Sequence, residues 1–178
     1  AKGETGICKV VCFSPDHSLT LPLMDVKAIE KVIGLWQKEY TALGAMENIN
    51  HVQIFENKGA LMGCSNPHPH GQIWAQRSVP LEVEKKSGQQ LRHWKRNGGS
   101  ILQDYLMQEI ALNERIVAQN EDFLALVPFW AVWPYEVMIA PKKHYQNISQ
   151  LSIGERKSFA QIIKEATTKY DNLFEVPF

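Results

Sequence analysis

The stretch Asn66-Pro67-His68-Pro69-His70-Gly71-Gln72-Ile73-Trp74 decides how the rest of this 178-residue chain is read. Proline fixes φ, lacks a backbone N–H and turns the residue before it away from the helical region, so the two prolines impose an extended path. In an extended chain residues two apart share a face. His68, His70 and Gln72 therefore tend to one side, with the Pro bonds allowing some deviation. Two imidazoles and an amide on a stiff segment suit either metal binding or attack on a phosphoryl group. The residues that follow predict a strand over 72–76.

Upstream, residues 51–55 read as a strand, and the glycine-bearing loop Glu56 to Ser65 joins it to the histidines. A further strand over 7–13 is rich in β-branched residues and ends at Ser14-Pro15-Asp16-His17. Asp25 then caps a helix whose apolar stripe is Val26, Ile29, Val32, Ile33, Trp36, Tyr40 and Leu43, with Gly44 ending it. Downstream, residues 81–99 are polar and charged and read as an exposed excursion. Strands follow over 123–127 and 136–140, the second ending at Pro141-Lys142-Lys143-His144. Ser152 and Glu155 form a capping box for a last helix with Phe159, Ile162, Ile163, Ala166, Tyr170 and Leu173 on one stripe.

Both halves thus run strand, proline, histidine, spacer, amphipathic helix. This points to an internal duplication whose second copy is incomplete at Phe178. Two unrelated strand–helix units are the alternative. The expected organisation is a first half over 1–80 with the histidine motif, a polar connecting excursion and short helix over 81–115, and a partial second half over 116–178.

Nineteen basic residues balance nineteen acidic ones, which gives no electrostatic footprint for nucleic acid. With 44% hydrophobic and 21% charged residues the chain reads as a soluble globular protein, without a membrane span or signal peptide. Three cysteines, Cys8, Cys12 and Cys64, make no disulfide framework and favour a reducing, cytoplasmic setting. The glycosylation-like triplet Asn147-Ile148-Ser149 has no use there.

Phe55-Glu56-Asn57-Lys58-Gly59, Gly63-Cys64-Ser65 and the histidine block resemble the active-site block of the galactose-1-phosphate uridylyltransferase family, within the histidine-triad superfamily. Ser14-Pro15-Asp16-His17, Val127 to Pro134 and Lys169 to Phe174 resemble it too. The likeness covers almost the whole chain, is weakest over 81–99, and implies a central portion lacking both flanks. It also implies an α+β, histidine-triad-like fold: an antiparallel sheet with helices packed on it, in duplicated half-domains.

The resemblance implies ping-pong transfer of a uridylyl group from UDP-glucose to His70 and then to galactose 1-phosphate. Imidazole both attacks phosphorus and leaves it well, so one difficult transfer becomes two easier ones. Gln72 matches the glutamine that steadies the uridylyl phosphate; a third histidine there would favour attack by water. Asn57 matches a nucleotide contact and Ser65 a phosphate contact. Gly59 and Gly63 let backbone N–H groups approach phosphate oxygens, or simply form turns, and Cys64 is read as a packing or phosphate-adjacent residue, not a catalytic one.

His17 and His68 match two zinc ligands of the family, the other two being a Cys-x-x-Cys pair upstream. Cys8 and Cys12 lie four apart and do not make such a pair, so the remaining ligands are expected upstream of Ala1. A packed His17 closing the turn after Pro15 is the competing reading. No iron site is expected. Lys86 stands where the family has a glutamate, although Glu82 and Glu84 are near. The resemblance further implies a homodimer with shared active sites. Phe129, Trp130, Trp133 and Tyr135 suit either that interface or the core of the second half. A hydrolase or phosphorylase of the superfamily, or an inactive nucleotide- or metal-binding remnant, are the rival functions.

Overall fold

Strict alternation marks the central strand of the first sheet. In the computed structural model, which describes residues 3–64 and 66–174, strand β1 spans Gly6–Cys12, β2 His51–Phe55 and β3 His70–Gln76. β3 lies in the middle, antiparallel to both neighbours. Gly71, Ile73 and Ala75 face inward and are buried, so His70, Gln72 and Trp74 share the opposite face. The strand starts at His70, two residues earlier than expected, because the Cys12–His70 pair still belongs to the ladder. Helix α1 (Val26–Gly44) covers the inner face with Ile29, Val32 and Ile33, and the Asp25 carboxylate caps it by accepting from the Ala28 N–H at 2.7 Å.

The second sheet has the order β4 (Ile116–Gln119), β5 (Phe123–Leu126), β6 (Met138–Pro141), again antiparallel. All four residues of β5 are buried. Phe123 and Ala125 pack with Ile162, and Leu124 and Leu126 with Leu106, so helices cover both of its faces. These helices are α4 (Ile153–Phe174) and α3 (Ile101–Leu112), with α2 (Leu81–Asn97) preceding α3. The capping box forms as expected: the Glu155 N–H donates to Ser152 Oγ at 3.3 Å, and the Ser152 N–H donates back to the Glu155 carboxylate at 2.8 Å. Ala160 and Ile163 of α4 also enter the core under the first sheet, so α4 joins the two halves.

The fold is therefore α+β, with antiparallel sheets and helices packed on them. Besides the bounds of β3 and β6, the latter shifted from the expected 136–140, two details differ from the sequence reading. Residues 81–97 are exposed as expected but helical. Glu82 and Glu84 in the first turn, Lys95 and Arg96 in the last and a left-handed Gly98 all favour a helix, although α2 buries no side chain. β4 was not expected; it is four residues long and carries a register shift between Ile116 and Ala118.

Ile73, fully buried at the centre of β3, is the test of this core. Ile73→Ala should lower unfolding stability by about 2–5 kcal/mol in denaturant titration.

Candidate functional site

His70, the first outward residue of β3, opens onto a cleft of about 490 Å³, lined by Thr20, Glu56, Asn57, Lys58, Gly59, Ala60, Cys64, Pro67, His68, Pro69 and His70. The approach to the strand is a turn, not a continuous extension: the Asn66 side-chain oxygen accepts from the His68 N–H at 3.0 Å. The two histidines then do different things. His70 Nδ1 lies 2.8 Å from the His68 carbonyl oxygen. A carbonyl only accepts, so Nδ1 carries the proton and Nε2 keeps the lone pair.

His68 turns its ring the other way. Its Nε2 lies 2.8 Å from the Ser14 carbonyl and is therefore the protonated nitrogen, leaving Nδ1 as acceptor. His17 Nδ1 donates to that atom at 2.7 Å, with the rings edge to face. The two Nδ1 atoms thus meet, and a backbone carbonyl orients one ring from behind, which is the usual support of a metal-binding histidine. Among the described residues no group of three or more His, Cys, Asp or Glu that could hold a metal forms. Cys8 and Cys12 are exposed on β1.

The loop from β2 is shaped by glycines. Gly59 has φ 85° and Gly63 φ 79°, bracketing the short 3₁₀ turn Ala60–Met62. At Gly63 there is room for a Cβ, so the left-handed backbone is the reason for glycine there. Asn57 and Cys64 line the cleft, whereas Gly63 and Gln72 are not part of its lining. The Cys64 thiol donates to the Asn66 carbonyl at 2.9 Å. Ser65 lies outside the described residues. Gln72 receives the Trp74 indole N–H on Oε1 at 3.3 Å, which turns its NH₂ to the other side as a donor. Gly71 is packed: a Cβ there would meet the Phe13 ring at 3.1 Å and the Phe55 carbonyl at 3.2 Å.

Two features were not singled out from sequence. Burial pushes the Glu56 carboxyl up to about 7, with Lys58 and His70 opposing the rise and Asp171 adding to it. Lys58 forms an ion pair with Asp171, near the end of α4. Both residues sit in stretches already quoted for their resemblance, but 113 residues separate them and no local pattern links them.

Residues 1–80 match the N-terminal domain of galactose-1-phosphate uridyl transferase, and residues 85–178 match its C-terminal domain. The chain belongs to that family. It is 51% identical over 178 residues to the galactose-1-phosphate uridylyltransferase of Haemophilus influenzae, covering 100% of this chain and 50% of that one. The Rattus norvegicus enzyme is 45% identical over 173 residues, covering 97% and 45%. The chain spans about half the length of the curated relatives it matches. A solved uridylyltransferase superposes with TM-score 0.89 at 27% identity, over 96% of this chain and 54% of that one. A GalT-like protein from Arabidopsis thaliana gives 0.86 at 25%, over 96% and 55%.

Glu56 gives the cleft a pH signature. Its folded-state pKa lies above the ordinary 4.5, so folding disfavours the ionised form. Stability from this group is fully present below pH 4.5 and declines as pH rises through about 7. Glu56→Gln should therefore gain stability relative to the unaltered protein between those limits, with a constant difference above them. Denaturant titrations at pH 5 and pH 8 read this directly.

Proposed function

We propose that this chain carries the nucleophile and nucleotide contacts of an enzyme that moves a uridylyl group between UDP-glucose and galactose 1-phosphate. The hydrogen bond from His70 Nδ1 to the His68 carbonyl is the observation that carries this reading. It holds the ring in the tautomer whose Nε2 lone pair is available in a cleft that also contains Asn57 and the glycine loop.

In the first step His70 Nε2 attacks the α-phosphorus of UDP-glucose. An N–P bond forms, the P–O bond to glucose 1-phosphate breaks, and glucose 1-phosphate departs with the electron pair. The ring then carries positive charge, and its Nδ1–H donates more strongly to the His68 carbonyl. A phosphate oxygen of galactose 1-phosphate next attacks phosphorus, the N–P bond breaks and His70 returns as neutral imidazole. Gln72, with its NH₂ free of the Trp74 contact, hydrogen-bonds the transferring phosphoryl group without adding charge. Asn57, Gly63, Cys64 and Ser65 complete the substrate contacts in this reading.

The His17–His68 pair fits a zinc site in part, because both Nδ1 atoms meet and His68 is oriented by the Ser14 carbonyl. His17 and His68 would supply two of the four ligands of a structural zinc, the other two coming from outside this chain. When bound, zinc supplies a cross-link between the turn after β1 and the turn before β3. Iron is not part of the proposal: Lys86 is exposed on α2, where Glu82 pairs with Lys85 at 3.0 Å.

Phe129, Trp130, Trp133 and Tyr135 are 52–77% exposed, which favours an interface over a core role. The turn is held in advance: the Phe129 N–H donates to the Tyr105 hydroxyl at 2.9 Å, and Arg115 lies 5.5 Å from the Phe129 ring centroid. A homodimer with shared active sites suits this preformed apolar face. The free cysteines fit a cytoplasmic setting, and among the described residues no helix is long and apolar enough to cross a membrane.

The full-length protein incubated with UDP-glucose alone should yield, after digestion, a His70 peptide heavier by one uridylyl group. An adduct on His68 or Cys64, or none, would falsify the assignment. His70→Ala should abolish transfer while leaving nucleotide binding largely intact. Gln72→Ala should slow both half-reactions by about 1–3 kcal/mol of barrier. Replacing His17 and His68 together should lower zinc content in elemental analysis, and an unchanged content would remove them as ligands.

A further inference from the structure

Lys58 and Asp171 are explained neither by the core nor by the chemistry at His70. Asp171 stands in the last turn of α4, where the helix dipole disfavours an acid, and no basic residue occupies that turn to offset it. Its partner is Lys58, next to Asn57 on the loop that lines the cleft. Both side chains are mostly sheltered, at 17% and 29% exposure.

The loop needs such a tie. Gly59 follows Lys58 with φ 85°, a position where the backbone itself imposes little restraint. The anchor, by contrast, is rigid: Ala160, Ile162, Ile163 and Ala166 of α4 are buried. Lys58 is the sole lysine or arginine among the described residues lining the cleft. Its charge is already engaged by Asp171, which argues against a free phosphate-binding cation and for a fastening. The rise in the Glu56 pKa, opposed by Lys58 and increased by Asp171, supports placing all three within electrostatic reach of one another.

We propose that Lys58 and Asp171 are positioning residues whose ion pair fastens the Asn57 loop to α4, so that the second half of the chain sets the nucleotide site of the first. This rests on the uridylyl-transfer reading for its ligand. Neither residue belongs to the hydrophobic core clusters, so loss of the pair leaves in place the packing that dominates global stability. The pair should therefore show itself in nucleotide affinity far more than in melting temperature.

The test is a double-mutant cycle in the full-length protein, read by calorimetric titration with UDP. Lys58→Met and Asp171→Asn should each weaken UDP binding about tenfold, and the double variant should be no weaker than either alone. Asp171→Glu should restore affinity. KM for UDP-glucose should rise by a similar factor while kcat at saturation changes little. Additive losses, a much larger loss for Lys58→Met than for Asp171→Asn, or undiminished binding by Asp171→Asn would overturn the proposal, because each marks Lys58 as a direct contact or the pair as inert. A fall in melting temperature without a change in UDP affinity would overturn it too. If the unaltered protein binds no UDP, the functional reading falls first and this one with it. Normal binding with an additive cycle removes only the positioning role.

Discussion

The site depends on the two-residue period of β3. Because Gly71, Ile73 and Ala75 must face the core under α1, His70, Gln72 and Trp74 have no choice but the open face. A slip of one residue would bury the imidazole and expose Ile73. The ladder on both sides, Cys12 opposite His70 and Phe55 opposite Gln72, holds that register. Gly71 adds a local reason, since the Phe13 ring and the Phe55 carbonyl occupy the space a side chain would need. Core packing and placement of the His70 imidazole are thus one constraint.

The proline-spaced histidines separate two tasks over a very short distance. His68 gives its ring to His17 and its carbonyl to His70, so it links the turn that could hold a metal to the ring that could attack phosphorus. Anything that steadies His68 steadies the tautomer of His70.

α4 plays the corresponding part between the halves. It covers the second sheet through Ile162, enters the first core through Ala160 and Ile163, and reaches the cleft loop through Asp171. The cleft is built wholly from residues of the first half, yet its loop is tied to an element of the second.

Local chemistry made much of this readable in advance. The strand period, the Asp25 cap, the Ser152–Glu155 box and the proline restraint depend on neighbours in sequence, so the α1 and α4 helices, the three strands of the first sheet and the pairing of histidines with a glutamine could be read from residue order. The helical state of residues 81–97 was obscured because the segment is strongly polar overall and its few apolar residues, although grouped on one side of the helix, bury nothing. The short β4 was obscured because it gains its order from pairing with β5. Only the tertiary structure decided which nitrogen of each histidine is engaged, that Gln72 turns its oxygen to Trp74, that burial raises the Glu56 carboxyl and that Lys58 meets Asp171. Protonation, amide orientation and burial are set by groups distant in sequence and brought close by packing, and no local pattern encodes them.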